Sequence, residues 1–323
     1  MKDLTLAICL YNAEKYIKET LESIVVQTMQ DFYLLIVNDC STDDSIAVIE
    51  EFFTLHPRQY EIVNFEENHG IGYARHFAER KATTKYMMFL DADDILYPNA
   101  IETMYRKIKS DKDLMAVGCY LEYVNEKSKK IGGGIFLGET TKEGFYKKAA
   151  NKKLIFMQPT AIYDRALALS VGGYIIYGYP EGKPRYQDYC EDLDLWTRMS
   201  DLYKDGKAII VVPEVLCKYR KIGNGLSSNS FNMIIKMRYT KRNLLLRRDG
   251  KKELTFIEFY NSLSDKELKK LKNDAKAADS LRNGVFYLKR RNIFKGAWEI
   301  MKSIYYRPGY IFDKLKHNFF KKK

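Results

Sequence analysis

The sequence lacks the residue patterns that build disulfide frameworks, zinc sites and membrane spans. Its five cysteines are widely spaced and form no CxxC pair, so we expect free thiols in a cytoplasmic protein. The four histidines show no ligand spacing, which disfavours a zinc site. No run approaches the roughly 18 apolar residues of a membrane-spanning helix. Polar residues soon interrupt the first apolar segment, so the N-terminus does not fit a signal peptide.

Two nucleotide-binding fingerprints are also missing. The sequence contains no GxxxxGK[ST] phosphate loop. Gly70-Ile71-Gly72 lacks the third glycine of the dinucleotide fingerprint and follows the third predicted strand, not the first. The sequence therefore argues against both a P-loop protein and a Rossmann dehydrogenase.

The positive charge is concentrated near the C-terminus. The chain has 323 residues and a formal net charge of +12, which is enough length for one large domain or two smaller ones. Eleven basic and two acidic residues follow position 285, so this segment carries +9 of the +12. The rest of the chain is nearly neutral. This distribution indicates that the basic tail alone binds an anionic surface.

Strand and helix patterns alternate through the first ninety residues, which predicts βαβ units and a parallel α/β sheet. Right-handed crossovers bring the carboxyl ends of such strands to one edge, where ligands bind. The polar segments after the strands should therefore meet there, at a nucleotide-type site. The predicted strands are 4–10, 32–37, 60–65 and 86–90, and the predicted helices are 13–27, 42–55 and 73–82.

Three carboxylates, Asp91, Asp93 and Asp94, follow the apolar strand 86–90. Clustered carboxylates repel each other and shift one another's pKa. A divalent cation would relieve the repulsion, and oxygen ligands suit Mg²⁺ or Mn²⁺. The alternative is a polar turn in which Asp93 or Asp94 caps the next helix. The spacing alone leaves both interpretations open.

In their order and spacing, four elements of the first hundred residues resemble the family 2 glycosyltransferases with the GT-A fold. The resemblance implies an α/β protein whose GT-A domain has a Rossmann-like, mostly parallel central sheet. The elements are Leu10-Tyr11-Asn12, Val37-Asn38-Asp39-Cys40-Ser41-Thr42-Asp43, Asn68-His69-Gly70-Ile71-Gly72-Tyr73-Ala74-Arg75 and Asp91-Ala92-Asp93.

The resemblance also implies roles in binding the nucleotide-sugar donor. Tyr11 and the adjacent Asn12 would lie at the nucleotide, with Tyr11 against the base. Asp39 would accept a hydrogen bond from the base.

The remaining donor roles concern the diphosphate and the sugar. Arg75 would approach the phosphates, and Asp91 would reach ribose or sugar hydroxyls. Asp93 would bind Mn²⁺ or Mg²⁺, which bridges the pyrophosphate and neutralises the leaving group.

A second acidic motif begins at Glu191-Asp192, ahead of an apolar helical pattern. Acidic residues favour a helix N-terminus through the helix dipole, so this motif by itself has a purely structural interpretation. The family resemblance implies instead that Asp192 is the general base for a single inverting displacement, with Glu191 and Asp94 as possible supporting residues. A glycoside hydrolase would need two facing carboxylates and no nucleotide site.

The family's Tyr-Arg-x-His pattern is incomplete, because Ile222 stands where the histidine is usual. Arg220, Lys221 or Ser227 would then replace it. Two more segments suit the acceptor side: residues 158–161, and the glycine- and proline-rich loop 177–188, which is long enough for a mobile lid.

The sequence predicts a GT-A domain at 1–225, with a donor half (1–97) and an acceptor half (98–225). A helical region with a basic, aromatic tail follows at 226–323. Aromatic residues interleaved with Lys and Arg fit peripheral contact with an anionic membrane. Packing on the catalytic domain is the alternative, and a nucleic-acid patch is disfavoured because no binding motif is present.

We therefore expect an enzyme that moves a sugar from a nucleotide-sugar to a glycan or lipid-linked acceptor. The expected donor is a UDP-sugar. Its expected setting is bacterial surface polysaccharide synthesis at the inner face of the plasma membrane. The alternatives are a nucleotidyltransferase and an inactive nucleotide-sugar-binding module. The first should carry a glycine-rich loop after strand one, where Tyr11-Asn12-Ala13-Glu14 stands instead. Retention of Asp93 and Asp192 argues against the second.

Overall fold

The computed structural model describes residues 2–222, 225–289 and 291–313, without the side chains of residues 133, 227 and 289. The first half is a parallel sheet in the order β3-β2-β1-β4. Its strands are β1 (Leu4–Leu10), β2 (Tyr33–Asn38), β3 (Glu61–Asn64) and β4 (Tyr86–Asp91), and the connecting helices are α1 (Ile17–Val25), α2 (Ser45–Leu55) and α3 (Ile71–Lys81).

The register of these strands aligns their carboxyl ends at one edge of the sheet. Leu10 pairs with Asn38, Cys9 pairs with Asp91, and all seven residues of β1 are buried. The predicted α/β fold is confirmed, and the strand ends lie on one edge as expected for parallel strands with crossover helices.

The second half extends the sheet in the order β4-β8-β6-β9-β5, with β7 paired to β6. Strand β8 is antiparallel to both β4 and β6, whereas β6 and β9 are parallel. Its elements are β5 (Ile95–Leu96), α4 (Ala100–Lys109), β6 (Leu114–Val124), β7 (Lys130–Ile135), α5 (Lys142–Ala150), β8 (Ala161–Asp164), α6 (Arg165–Ser170), α7 (Glu191–Met199) and β9 (Ala208–Arg220).

Two strand predictions in this half need correction. The sequence predicts separate strands at 207–212 and 216–219, but β9 is continuous and its register with β6 shifts beside Cys119 and Tyr120. Pro213 falls between the two paired stretches, where a bulge tolerates a residue that lacks a donor NH. The sequence also predicts a strand at 156–163, but the observed strand β8 begins only at Ala161, just after Pro159. The helices α5 and α6 were not predicted.

The C-terminal part of the described chain is helical. Its helices are α8 (Ser230–Arg248), α9 (Phe256–Asn261), α10 (Asp265–Lys289) and α11 (Ile293–Tyr306). The sequence predicts helices at 255–271 and 275–289, yet the break comes at 262–264. There the Ser264 hydroxyl accepts a hydrogen bond from the Glu267 backbone NH, and the Glu267 carboxylate accepts from the Ser264 NH. This capping box starts a new helix, and α10 then runs on without interruption.

The chain divides into two compact units. One comprises residues 2–222 and 240–253, and the other comprises residues 225–239 together with 254–289 and 291–313. Across the described residues, every helix is too short or too polar to cross a bilayer.

Candidate active site

The carboxyl edge of the sheet is centred on a buried arginine. Arg75 lies on α3, and its side chain is 4% exposed. One guanidinium nitrogen, Nη2, lies 2.6 Å from Asp91 Oδ1 at the end of β4. The other, Nη1, donates to Glu191 at the start of α7. Arg75 thus joins the two acidic motifs that the sequence singled out.

The turn after β4 is held from two sides. The Thr20 hydroxyl on α1 donates to the carbonyl oxygens of Ala92 and Asp94, at 3.0 and 2.8 Å. Arg220, at the end of β9, donates from Nε to the Asp93 carbonyl at 2.8 Å. Its backbone NH donates to the Asp94 carboxylate at 2.9 Å. Asp94 is 1% exposed, so it supports the turn from inside. The carboxylates of Asp91 and Asp93 are only partly buried and remain accessible.

Asp93 carries the features of a cation ligand. Burial and the nearby charge of Asp91 raise the pKa of Asp93 to about 6. Among the described residues, the Asp93 carboxylate accepts a hydrogen bond from the Asp93 backbone NH. A divalent cation beside Asp93 would relieve the repulsion between the two carboxylates.

The donor set suits a cation that the substrate helps to hold. The described residues contain no group of three or more His, Cys, Asp or Glu side chains suited to a metal ion. Mg²⁺ is commonly bound by one or two carboxylates together with substrate phosphates. The pair Asp91 and Asp93 fits that chemistry.

Asp39 is a buried acceptor for backbone groups. It is 3% exposed. Its carboxylate accepts from the backbone NH groups of His69 and Gly70, at 2.7 and 2.8 Å, and from Asn68 Nδ2 at 2.8 Å. These bonds shape the loop that leads into α3, where Gly70 has a φ of 94°, a conformation that favours glycine. Asp39 therefore positions the loop that precedes Arg75.

Tyr11 and Asn12 lie at the end of β1. Tyr11 is 50% exposed, which leaves its ring available for stacking. Asn12 has a φ of 49°, and its side-chain oxygen accepts from the Thr42 backbone NH at 2.8 Å. Its own NH donates to the Ser41 hydroxyl at 3.1 Å. Asn12 therefore ties the first strand end to the loop before α2.

The start of α7 presents two adjacent carboxyl groups. Cys190 precedes the helix in a left-handed conformation with a φ of 53°. Burial and the Asp192 charge raise the pKa of Glu191 to about 8, although the positive charge of Arg75 acts to lower it. Burial also raises the pKa of Asp192; Arg75 opposes this, and Asp91 adds to it. The Asp192 carboxylate accepts a hydrogen bond from the Leu193 backbone NH.

Comparisons with known proteins identify the family of this chain. The sequence profile described as "Glycosyl transferase family 2" matches residues 5–170, half of the chain. The chain belongs to glycosyl transferase family 2.

Three relatives of this glycosyltransferase illustrate the family's range. An uncharacterized glycosyltransferase of Haemophilus influenzae is 29% identical over 70% of this chain and 67% of the relative. The putative teichuronic acid biosynthesis glycosyltransferase TuaG of Bacillus subtilis is 27% identical over 80% of this chain and 94% of TuaG. The teichoic acid poly(glycerol phosphate) polymerase of Staphylococcus epidermidis is 41% identical over 36% of this chain, but the match spans only 16% of that protein.

Solved structures show the same fold. Staphylococcus aureus TarS residues 1–349, in complex with UDP-GlcNAc, superposes with a TM-score of 0.55 at 19% identity, covering 96% of this chain and 92% of that one. The mannosyltransferase PcManGT from Pyrobaculum calidifontis, in complex with GDP-Man and Mn²⁺, gives a TM-score of 0.54 at 18% identity, covering 97% and 88%.

In this glycosyltransferase, Arg220 lies two residues before Ile222, where the histidine is missing, and it contacts the turn of Asp93 and Asp94. The Lys221 ammonium lies 4.8 Å from the Tyr123 ring. The side chain of Ser227, another proposed substitute, lies outside the described residues.

The loop 177–188 has an anchor that no local sequence pattern predicts. Asp188 accepts a hydrogen bond from the Gly72 NH at 2.9 Å, and Arg185 donates to the Asn68 side-chain and backbone oxygens. A Cβ atom on Gly72 would lie 2.6 Å from the Gln187 carbonyl oxygen. The glycine pair that fails as a dinucleotide fingerprint is therefore needed for this close approach.

Gln158 is a second polar group of interest. It is 5% exposed, and among the described residues its side-chain nitrogen and oxygen have no hydrogen-bond partner. It precedes β8, whose start lies beside the end of β4 because the two strands are antiparallel. An unsatisfied buried amide near a substrate edge is suited to a ligand hydroxyl.

Proposed function

We propose that this enzyme transfers a sugar from a UDP-linked donor to a hydroxyl group of a glycan or lipid-linked acceptor, with inversion at the anomeric carbon. The observation that carries the proposal is the bridge from Arg75 to Asp91 and Glu191. It brings the proposed donor motif and the proposed base motif to the same edge of the sheet.

The proposed reaction is one displacement. Asp192 takes the proton of the acceptor hydroxyl as its oxygen forms a bond to the anomeric carbon. The bond from that carbon to the diphosphate oxygen breaks, and the nucleoside diphosphate leaves with the electron pair. A single base on the acceptor side and a leaving group opposite it give inversion.

The chain's own residues prepare this step. Tyr11 offers an exposed ring for the base, and Asp39 and Asn12 hold the surrounding loops. Arg75 keeps Asp91 and Glu191 in place as a positioning residue. Asp93 would hold Mn²⁺ or Mg²⁺, which when bound neutralises charge on the departing diphosphate.

The proposed setting is the synthesis of a bacterial surface polysaccharide at the cytoplasmic face of the plasma membrane. The names of TuaG and the polymerase support it, as does the UDP-GlcNAc complex of TarS for the donor. We assign residues 1–225 to catalysis and residues 226–323 to a helical region that meets the membrane.

A calorimetric screen of UDP-, GDP- and CDP-sugars, with and without Mn²⁺, tests the donor assignment. Binding of a UDP-sugar that strengthens with Mn²⁺ is expected. Preference for a GDP- or CDP-sugar would overturn the choice of nucleotide. Consumption of a nucleoside triphosphate with a sugar phosphate, releasing pyrophosphate, would identify a nucleotidyltransferase instead.

A further inference from the structure

The last described helix of the C-terminal unit has its large apolar residues on the outside. We define the α11 stripe as Phe294, Trp298, Met301 and Tyr305, which follow the spacing of one helical face. Their exposed fractions are 90%, 58%, 54% and 83%. These are high values for aromatic and sulfur-containing side chains that could have faced a core.

The opposite face of α11 is built from small residues that pack on α10. Gly296 and Ser303 are buried. A Cβ atom on Gly296 would lie 3.2 Å from the Gly284 carbonyl oxygen of α10. The Ser303 hydroxyl donates to the Ala277 carbonyl at 2.8 Å. The two helices therefore approach closely through glycine and serine, and the α11 stripe points away from this contact.

This arrangement reverses the usual pattern of a water-soluble helix, in which the large apolar residues face the core. An exposed face of four large apolar side chains marks a docking site for a protein or a membrane. Trp and Tyr combine an apolar ring with a polar group, which suits the boundary between lipid and water.

The surrounding charge selects an anionic bilayer. Arg291 and Lys295 are exposed near the stripe. Lys302 and Arg307 are 40% and 38% exposed, and they pair with Glu299 and with Asp274 and Asp313. The sequence after position 285 carries eleven basic and two acidic residues. A second copy docked on the same face would bring two such segments together, and their like charges would repel. An anionic lipid surface attracts them instead.

We infer that α11 lies in the interface of an anionic membrane, with the α11 stripe inserted among the lipids and the basic residues at the headgroups. This deepens the membrane location proposed above, because it names the surface that makes the contact. It does not depend on which sugar is transferred. The enzyme would thereby work where a lipid-linked acceptor is anchored.

The test uses the whole 323-residue chain and vesicles of phosphatidylcholine, alone or mixed with phosphatidylglycerol. The chain has two tryptophans, and Trp196 is fully buried, so a change in emission on adding vesicles reports Trp298. We expect a blue shift and co-flotation with the mixed vesicles only, weakened by high salt.

The decisive variant is the double substitution Phe294→Ser and Tyr305→Ser, which retains Trp298. It should lower the vesicle partition coefficient roughly tenfold for each ring removed. The matched control is the double substitution Leu55→Ser and Phe136→Ser, because these side chains are 70% and 60% exposed and lie outside the stripe. The control should bind vesicles as the parent does.

Three results would overturn the inference. The parent chain would fail to bind mixed vesicles, the stripe variant would bind them as well as the parent does, or light scattering would show a dimer that only the stripe variant disrupts while vesicle binding is unchanged. UDP binding by calorimetry separates these outcomes from the proposed function. It should be equal in the parent and the stripe variant, and its absence from the parent would concern the donor site alone.

Discussion

Arg75 donates from one guanidinium nitrogen to Asp91 and from the other to Glu191, 116 positions later in the sequence. The arginine and Glu191 side chains are 4% and 11% exposed, so the bridge is largely shielded from water. Charge-assisted bonds from one planar group set the relative positions of two carboxylates. The donor and acceptor halves of the proposed reaction are thus coupled through one side chain.

Replacement of Arg75 should affect both stability and transfer. We expect Arg75→Met to lower the free energy of unfolding by about 3–5 kcal/mol, because two partly buried carboxylates lose their partner. The matched control is Arg106→Met, whose 78% exposed side chain pairs with Glu102 and should cost less than about 1 kcal/mol. Thermal unfolding and transfer assays measure the two effects. Equal unfolding temperatures for the two variants would contradict the role of the bridge.

Substitution of Asp192 tests the proposed base. Asp192→Asn should reduce the transfer rate by about 100- to 10,000-fold while leaving UDP-sugar binding unchanged. Asp31→Asn, at an exposed loop position, should leave both quantities unchanged. Near-normal transfer by Asp192→Asn would assign the proton transfer to another group.

The pH dependence of kcat/KM follows from the protonation state of the Asp192 carboxyl group, which must be ionised to act as a base. Burial raises the pKa of Asp192 above its ordinary 3.8, and only the ionised carboxylate accepts a proton. The rate should therefore fall as the pH falls through a pKa higher than 3.8. A flat profile on the acid side, or a limb below that value, would exclude Asp192 as the titrating base.

The cation site can be tested without following the reaction. Asp93→Asn should abolish the strengthening of UDP binding by Mn²⁺, and EDTA should weaken UDP binding to the parent chain. Asp94→Asn is a less suitable comparison because its carboxylate supports the turn. Asp31→Asn, at an exposed position of the loop before β2, is the control and should keep the Mn²⁺ effect. Unchanged metal dependence in Asp93→Asn would place the cation elsewhere.

The anchor of the loop 177–188 should control its mobility. Arg185→Gln removes the donors to Asn68, so we expect faster proteolysis within this loop and a higher KM for the acceptor. Lys183→Gln, at an exposed position of the same loop, is the matched control. Limited proteolysis followed by mass spectrometry measures the difference. Equal cleavage of the two variants would mean that Asp188 alone holds the loop.

Gln158 should lower the stability of the fold and raise the activity of the enzyme. Gln158→Met keeps the side-chain length and removes two buried groups without partners. We expect an unfolding free energy that is higher by about 1 kcal/mol and a fall in kcat/KM. Gln59→Met, at an exposed position, should alter neither. A loss of stability in Gln158→Met would show that the amide has a structural role.

The first half of the fold was readable from local patterns. Strand β1 has the predicted bounds Leu4–Leu10, because a continuous apolar run between polar breaks specifies a buried strand. The second half was less readable, since β9 continues past Pro213 through a bulge. Bulges depend on the neighbouring strand and leave little trace in the periodicity of one segment. The start of helix α10 likewise depends on the capping pair Ser264 and Glu267, which forms the S-x-x-E pattern of a capping box.

The sequence by itself determined the fold class, the motifs at the strand ends and the concentration of positive charge near the C-terminus. These follow from chain order, residue type and hydrophobic period. Only the tertiary structure decided that Arg75 joins Asp91 to Glu191, that Asp39 is buried beneath a loop and that Asp188 meets Gly72. It also decided that α11 turns its aromatic residues outward. Such contacts join residues far apart in the chain, and their partners are selected by packing, which no local pattern encodes.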